Sequence, residues 1–337
     1  MTTRKKPSFT VVLMVLMILV TLVAIVVNLY RDYTRPTGAA NYTLEVKPGM
    51  SVTSIARELQ AQGIVKNADV FRLVLRQRGN SASIQEGIYQ FSGEQNIFQI
   101  AETLEGGGKP RVINVTIPEG KRLKDIVGIF AKAGISNKQA LQQAFDQNIK
   151  LSEHATDSLE GFLFPATYPF RPEATADEVV RTLVSRMEQE FSAERIEGAK
   201  KLGLSVHDWV SLASIVQAEA ANTEEMPLIA GLFLNRMEIG MPLQSDPTVA
   251  YGLGKDLPEL NRFEGDFQKD TPYNSYTRKG LPPTAINNPG EAALVAVLNP
   301  ERLVDGKKAL YFVHGRDRKI HVNSDFQSHL RDVEKYR

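Results

Sequence analysis

Glu219 is the residue of this sequence best placed to move a proton. It closes the run Trp209-Val-Ser-Leu-Ala-Ser-Ile-Val-Gln-Ala-Glu219, whose apolar residues recur at helical spacing. At about 100° per residue, Leu212, Ile215 and Val216 fall within roughly 60° of Glu219 on the helix surface. A carboxylate in such a stripe is costly unless it is paired or protonated. Desolvation raises its pKa, and that keeps a proton donor loaded near neutral pH. Two plainer readings compete: a glutamate at an exposed helix end, or one neutralised by an arginine. Two later turns supply polar groups, Gln244, Ser245, Asp246 and Thr248 in one, and Tyr273, Asn274, Ser275 and Tyr276 in the other. Amides, hydroxyls and aromatic faces are the groups that recognise sugars. The same residue types also form turns for purely structural reasons.

The elements that must position these residues follow from pattern. Ser205, with Asp208 three residues on, forms an approximate capping box that starts the helix of Glu219. Asn222 and Thr223 are expected to end it. Pro227 suits the first turn of a next helix, which runs to Ile239 and is closed by Gly240. Beyond Leu243 the chain is rich in turn formers, with one helix expected over Glu291–Leu298 and a strand over Ala309–Val313. Long structured loops around a short helical core usually build a cleft. Upstream, Glu160–Phe170 is aromatic and irregular, and a polar helix is expected over Ala176–Glu194. Further upstream the chain echoes itself. Val46-Lys-Pro-Gly49-Met-Ser-Val-Thr-Ser-Ile55 leads to Gly63-Ile64, and Ile117-Pro-Glu-Gly120-Lys-Arg-Leu-Lys-Asp-Ile126 leads to Gly134-Ile135. Each copy reads as a strand, a tight glycine turn and a short amphipathic helix closed by glycine, a duplicated βα unit.

The whole chain sets bounds. Its 337 residues allow one to three domains. Forty basic against 39 acidic residues leave a net charge of +1, which gives no reason to expect nucleic-acid binding. With no cysteine, disulfides, cysteine–zinc sites and thiol nucleophiles are excluded. His154, His207, His314, His321 and His329 are scattered without metal-ligand spacing, and His314 and His321 are expected to flank a hairpin with Arg316-Asp317 at its tip. No metal or other cofactor is expected. Phe9–Tyr30 carries no charge over 22 residues and follows Arg4, Lys5 and Lys6. That length spans a bilayer core, and no small-residue cleavage site follows. The charge bias places the N-terminus in the cytoplasm and the body outside.

The first βα copy resembles a LysM-type peptidoglycan-binding module. Across the whole chain, Leu159-Glu-Gly-Phe-Leu-Phe-Pro165, Ala213-Ser-Ile-Val-Gln-Ala-Glu219, Asn235-Arg236, Leu243-Gln-Ser-Asp-Pro-Thr248, Tyr251-Gly252, Tyr273-Asn-Ser-Tyr276, Gly280-Leu-Pro-Pro283 and Asn288-Pro289-Gly290 occur in the order seen in the YceG-like family of endolytic murein transglycosylases, which the chain resembles. The resemblance implies cleavage of the β-1,4 bond between N-acetylmuramic acid and N-acetylglucosamine inside nascent glycan strands. The cut leaves a 1,6-anhydro end and terminates strand elongation. The family's catalytic glutamate maps onto Glu219. Gln244, Ser245, Asp246, Thr248, Asn274 and Tyr276 are the candidate substrate contacts, and peptidoglycan synthases are the partners it suggests. Many relatives carry a second glutamate where this chain has Gln217, about 200° round the helix from Glu219, and an aspartate where it has Ala166. Three other readings stand beside this one. A hydrolytic muramidase would need a second carboxylate, for which Asp246 is the candidate. A non-catalytic wall-binding protein would use the βα units as anchors. A lyase dependent on pyridoxal phosphate would need a phosphate cradle, and none is visible.

The expected architecture is α+β: a tail over 1–8, a transmembrane helix over 9–30, a linker over 31–41, a LysM-like domain over 42–108, a second βα unit over 109–150 and a mixed catalytic domain over 151–337.

Overall fold

The computed structural model of the chain describes residues 9–79 and 84–337. The expected cytoplasmic tail, residues 1–8, lies outside the described residues. The architecture is mixed α/β and divides into two compact units, with the boundary between Arg111 and Val112.

The first unit opens with helix α1, Phe9–Thr34, whose side chains lie outside the core. Its apolar stretch has a mean hydropathy of 3.2. At 1.5 Å per residue, 26 residues extend about 39 Å, enough to cross a bilayer core. The helix continues four residues past the expected span, so Arg31–Thr34 are helical and only the rest of the linker is irregular. Strand β1 (Tyr42–Val46), helices α2 (Val52–Ala61) and α3 (Ala68–Gln77), strand β2 (Gly87–Phe91) and helix α4 (Ile97–Glu105) follow. β2 pairs antiparallel with β1, Tyr42 facing Phe91 and Val46 facing Gly87. Alternate strand residues Leu44, Val46, Tyr89 and Phe91 join Ile55, Leu59, Phe71 and Leu75 in one apolar core, as the two-residue period of a strand requires.

The second unit begins with the same order: β3 (Ile113–Thr116), α5 (Leu123–Lys132), α6 (Lys138–Gln147), β4 (Thr167–Phe170) and α7 (Ala176–Glu188). β3 and α5 start 71 residues after β1 and α2, and β4 pairs antiparallel with β3. Gly49 and Gly120 take the left-handed turn in equivalent places, φ +75° and +72°, and Gly63 and Gly134 close the helices at +71° and +78°. The echo is therefore longer than the sequence suggested, a βααβα repeat. The strand that completes the second copy lies past residue 150. The second copy also has a longer stretch between its second helix and its closing strand, and that stretch carries Glu160.

Beyond it come α8 (Ala193–Lys201), α9 (Val206–Glu219), α10 (Met226–Glu238), α11 (Asp246–Gly252) and α12 (Glu291–Leu298). Then follow the short pair β5 (Leu303–Val304) and β6 (Lys307–Lys308), the hairpin β7 (Tyr311–His314) and β8 (Ile320–Asn323), and α13 (Phe326–Tyr336). The single polar helix expected over Ala176–Glu194 is two helices. The second is restarted by Ser192, whose hydroxyl caps Arg195 N–H at 3.3 Å. α9 and α10 are buried almost all round and pack against α12 at the centre of this unit.

Gly231 shows how tight that packing is. A Cβ there would lie 1.9 Å from the Glu301 carbonyl oxygen, whereas one at Gly128, inside α5, would meet nothing within 4 Å. Gly231→Ala is expected to cost about 3 kcal/mol. Gly128→Ala should be neutral or stabilise by about 0.5 kcal/mol through helix propensity. Chemical denaturation of the two variants checks both.

Candidate active site

The site is built on the C-terminal end of α9. Ser205 starts the helix with the expected capping box: its hydroxyl accepts Asp208 N–H at 3.1 Å, and the Asp208 carboxylate accepts from Ser205 N–H at 3.2 Å. Trp209, Leu212, Ala213, Ile215 and Val216 are all fully buried. Trp209 Nε1 donates to the Leu294 carbonyl at 2.8 Å and fixes α9 to α12. The buried Ser214 hydroxyl accepts Ile286 N–H at 3.0 Å, and the Ser214 carbonyl accepts from Asn287 Nδ2 at 2.8 Å. The loop through residues 284–288 is thereby tied to the helix that carries the acid.

α9 ends at Glu219 itself. Ala220 is extended, φ −72° and ψ 133°, so Glu219 terminates its helix and does not sit within it. Asn222 and Thr223 belong to the following turn. The helix end is covered, not free. Ser245 is fully buried, and its hydroxyl donates to Glu219 Oε1 at 2.6 Å. Glu219 Oε2 has no hydrogen-bond partner among the described residues and is not sealed from solvent. The side chain as a whole is half-buried. One carboxyl oxygen is thus held, and the other has no protein partner among the described residues and keeps some contact with solvent.

Burial pushes the Glu219 carboxyl up to about 7; the Ser245 hydrogen bond and the Arg236 charge pull it down, and the Asp246 charge adds to the rise. The negative end of the α9 dipole acts in the same direction as burial. Arg236 is buried, with Nε on the Leu310 carbonyl at 2.7 Å and Nη1 on the Leu243 carbonyl. Those bonds commit it to the backbone and not to a direct ion pair with Glu219. Arg236 therefore acts on Glu219 through its charge, without a direct ion pair among the described residues.

The two polar turns meet here. Gln244 is exposed and adopts φ +51°, a conformation that costs a non-glycine residue about 1–2 kcal/mol. Its N–H donates to the Ser275 carbonyl at 3.0 Å, and Ser245 N–H donates to Ser275 Oγ at 2.9 Å. Thr248 Oγ1 donates to the Ser245 carbonyl at 2.7 Å and lies 2.7 Å from Ser275 Oγ. Asn274 is fully buried: its amide donates to the Phe267 and Lys269 carbonyls and its oxygen accepts Tyr276 N–H. Thr248 therefore holds the Ser245 carbonyl and Asn274 closes its own turn, and both spend their polar groups inside the protein. Asp246 accepts from Tyr276 Oη at 2.5 Å and lies 3.4 Å from Arg262 Nη2. Gln217 turns away from Glu219, its side-chain oxygen accepting Gly290 N–H at 2.9 Å. Ala166 gives its carbonyl to Ile117 N–H at 2.9 Å.

Sequence reasoning missed three participants. Glu225 is buried, accepts Ala221 N–H at 3.0 Å and Asn222 Nδ2 at 3.1 Å, and lies 2.9 Å from His314 Nε2. It closes the turn that leaves Glu219. Arg236 was visible only as part of a motif. Glu160 is a second buried acid, 3% exposed. It accepts Leu123 N–H and Asn288 Nδ2, each at 2.9 Å, and Tyr251 Oη at 3.2 Å. Burial pushes it up to about 7 as well. Its signal was an acid ahead of an aromatic run. Among the histidines, His314 and His321 do flank a β-hairpin, and His321 stacks on Tyr336 at 3.6 Å.

A carboxyl whose folded pKa exceeds its unfolded value makes stability fall as pH rises between the two, here from about 4.5 to about 7. Glu219→Gln removes that ionisation. It is expected to stabilise the protein by about 1–3 kcal/mol at pH 8 relative to wild type, and by much less at pH 5. Thermal unfolding at the two pH values measures the difference.

The model of the YceG-like family matches residues 44–335. The chain is similar to the endolytic murein transglycosylase of Bacillus subtilis (strain 168), 28% identical over 310 residues that cover 87% of this chain and 84% of that protein. It is also similar to the endolytic murein transglycosylase of Streptococcus pneumoniae serotype 2 (strain D39), 28% identical over 322 residues. That match covers 86% of this chain and 57% of the longer pneumococcal protein. A crystal structure of a YceG-like protein from Listeria monocytogenes superposes with a TM-score of 0.58 at 27% identity, covering 87% of this chain and 99% of that one. The family match over most of its length establishes that this chain belongs to the YceG-like family.

Proposed function

We propose that this protein is an endolytic lytic transglycosylase of peptidoglycan and that Glu219 is its acid and then its base. The observation that carries the reading is the half-buried carboxyl at the end of α9, held by one hydroxyl, with its second oxygen open and its pKa raised to about 7. Relatives along most of the chain are named endolytic murein transglycosylases.

The chemistry needs one such group. Protonated Glu219 donates from Oε2 to the glycosidic oxygen, the C1–O bond breaks, and an oxocarbenium-like centre forms. The carboxylate then takes the proton of the sugar's own C6 hydroxyl, O6 closes on C1, and Glu219 is again protonated. No water is consumed. Ser245 supports the carboxylate stage by donating to Oε1, and Arg236 stabilises it through charge. A hydrolytic muramidase would instead need a second carboxylate free to hold water. Asp246, the candidate, is already engaged by Tyr276 and Arg262; its negative charge is better suited to keeping Glu219 protonated.

In this reading α1 anchors the protein in the cytoplasmic membrane, with Arg4, Lys5 and Lys6 inside and the body outside. The unit of β1–α4 is the LysM-like module, the unit from Val112 onward is catalytic, and peptidoglycan synthases are the partners. Gln244, Asp246 and Tyr276 remain candidate glycan contacts.

Mass analysis of fragments released from purified glycan strands tests the function. Wild type should release 1,6-anhydro ends, and Glu219→Gln should lower turnover by about 10²–10⁴-fold. Reducing ends in place of anhydro ends would establish the hydrolytic reading. kcat/KM should fall as pH rises through about 7, because the free enzyme must carry the proton. Ser245→Ala removes a bond to the carboxylate, so the falling limb should move upward by about half a pH unit or more; an unmoved limb would take Ser245 out of the acid's environment.

A further inference from the structure

A second cavity, of about 500 Å³, opens beside Glu160, where the second βααβα copy meets α11. Its walls include Arg122 and Lys124 from the start of α5, Gln142 from α6, Ser158, and the rings of Tyr251 and Tyr273. The reaction assigned to Glu219 uses none of them. We propose that this cavity is a distal subsite that holds an N-acetylated pyranose ring of the same glycan strand, an inference that rests on the reading of Glu219 as the glycan-cleaving acid.

Three observations carry it. First, the cavity has the size of a ligand site and an aromatic corner: the Tyr251 and Tyr273 rings lie 4.8 Å apart, centroid to centroid, at 58°. Apolar ring faces are what the C–H face of a pyranose packs against. Second, the corner is held in place by its neighbours. Glu160 takes Tyr251 Oη, Arg122 lies 5.4 Å over the Tyr251 ring, and Tyr273 Oη lies 2.8 Å from Thr284 Oγ1. The rim keeps hydrogen-bonding capacity for hydroxyl and acetamido groups. Gln142 donates to Asp146 at 3.0 Å, and its side-chain oxygen has no partner among the described residues. Ser158 Oγ accepts Glu160 N–H and retains its own proton. Third, one short helix links the cavity to the acid. Helix α11 starts beside Ser245, which touches Glu219, and Tyr251 near its end touches Glu160. Seven helical residues rise about 10 Å, the reach of a short run of sugar rings. The two cations of the lining, Arg122 and Lys124, are offset by Asp256 at 3.7 and 3.8 Å and by Asp146 in the wall, which favours a neutral sugar over an anionic group.

The test uses the full chain in detergent carrying Glu219→Gln, titrated calorimetrically with N-acetylchitohexaose. Gln142→Trp places an indole over the cavity mouth. Gln143→Trp puts the same group on the neighbouring exposed position of α6, which does not line it. Binding should weaken by about tenfold or more in the Gln142 variant and stay near the parent value in the Gln143 variant. Lys124→Ala, an exposed change that does not endanger folding, should weaken it by about two- to fivefold. Equal binding by the Gln142→Trp and Gln143→Trp proteins, full-strength binding by Lys124→Ala, or no hexaose binding by the parent would each overturn the subsite. Product analysis of the wild-type enzyme reads the Glu219 chemistry independently. Anhydro ends together with equal binding would remove the subsite alone, and their absence would remove the lytic reading.

Discussion

The desolvated carboxyl at the end of α9 is the constraint around which the second unit is arranged. A glutamate at a helix C-terminus faces the negative end of the helix dipole and would ordinarily turn into water. Here Ser245 and the loop that bears it cover the helix end. Holding that loop requires a left-handed Gln244, a buried Thr248–Ser275 hydroxyl pair and a fully satisfied Asn274. Holding the helix requires Trp209 on α12 and Ser214 on the loop through residues 284–288. The polar residues nearest the acid therefore serve mainly to fix one hydroxyl and one carboxyl relative to each other. Preorganisation of this kind lets a single group act twice without rearrangement of its surroundings.

Much of this was legible in the sequence. The capping box at Ser205, the apolar faces of α9 and the glycine turns at Gly49 and Gly120 rest on local rules, and local rules carry through to the structure. The position of Glu219 within the helix was not legible. Periodicity continues to be satisfied by Ala220, and only the extended backbone there ends the helix. The break between α7 and α8 was missed because both flanks are polar and helix-prone, so the capping hydroxyl of Ser192 was the only local mark. Thr248 and Asn274 looked like ligand-binding groups because residue type alone does not show whether donors are already used. Glu225 and Glu160 escaped notice for the opposite reason. The Glu160 partners Leu123, Asn288 and Tyr251, and His314 beside Glu225, are distant in sequence, and only Asn222, three residues before Glu225, was a local mark.

Glu160 and Glu219 have the same direction of shift and different surroundings. Glu160 accepts three hydrogen bonds and is almost inaccessible. Glu219 accepts one and keeps an oxygen open. In the proposed reaction it is access to the second oxygen, and not the raised pKa alone, that suits Glu219 to the acid's part. Through Asn288, which also takes Gly161 and Leu163 N–H, Glu160 ties the start of α5 to the loop strapped on α9.

The duplicated βααβα order has a consequence for how such chains can vary. The first copy has an apolar core of its own. The second gives its turn at Gly120 to Asn288 and its inserted stretch to Tyr251, and its core is continuous with the rest of the unit. A destabilising change in the core of the first copy therefore stays within that copy, whereas one in the second spreads to the helices that hold Glu219.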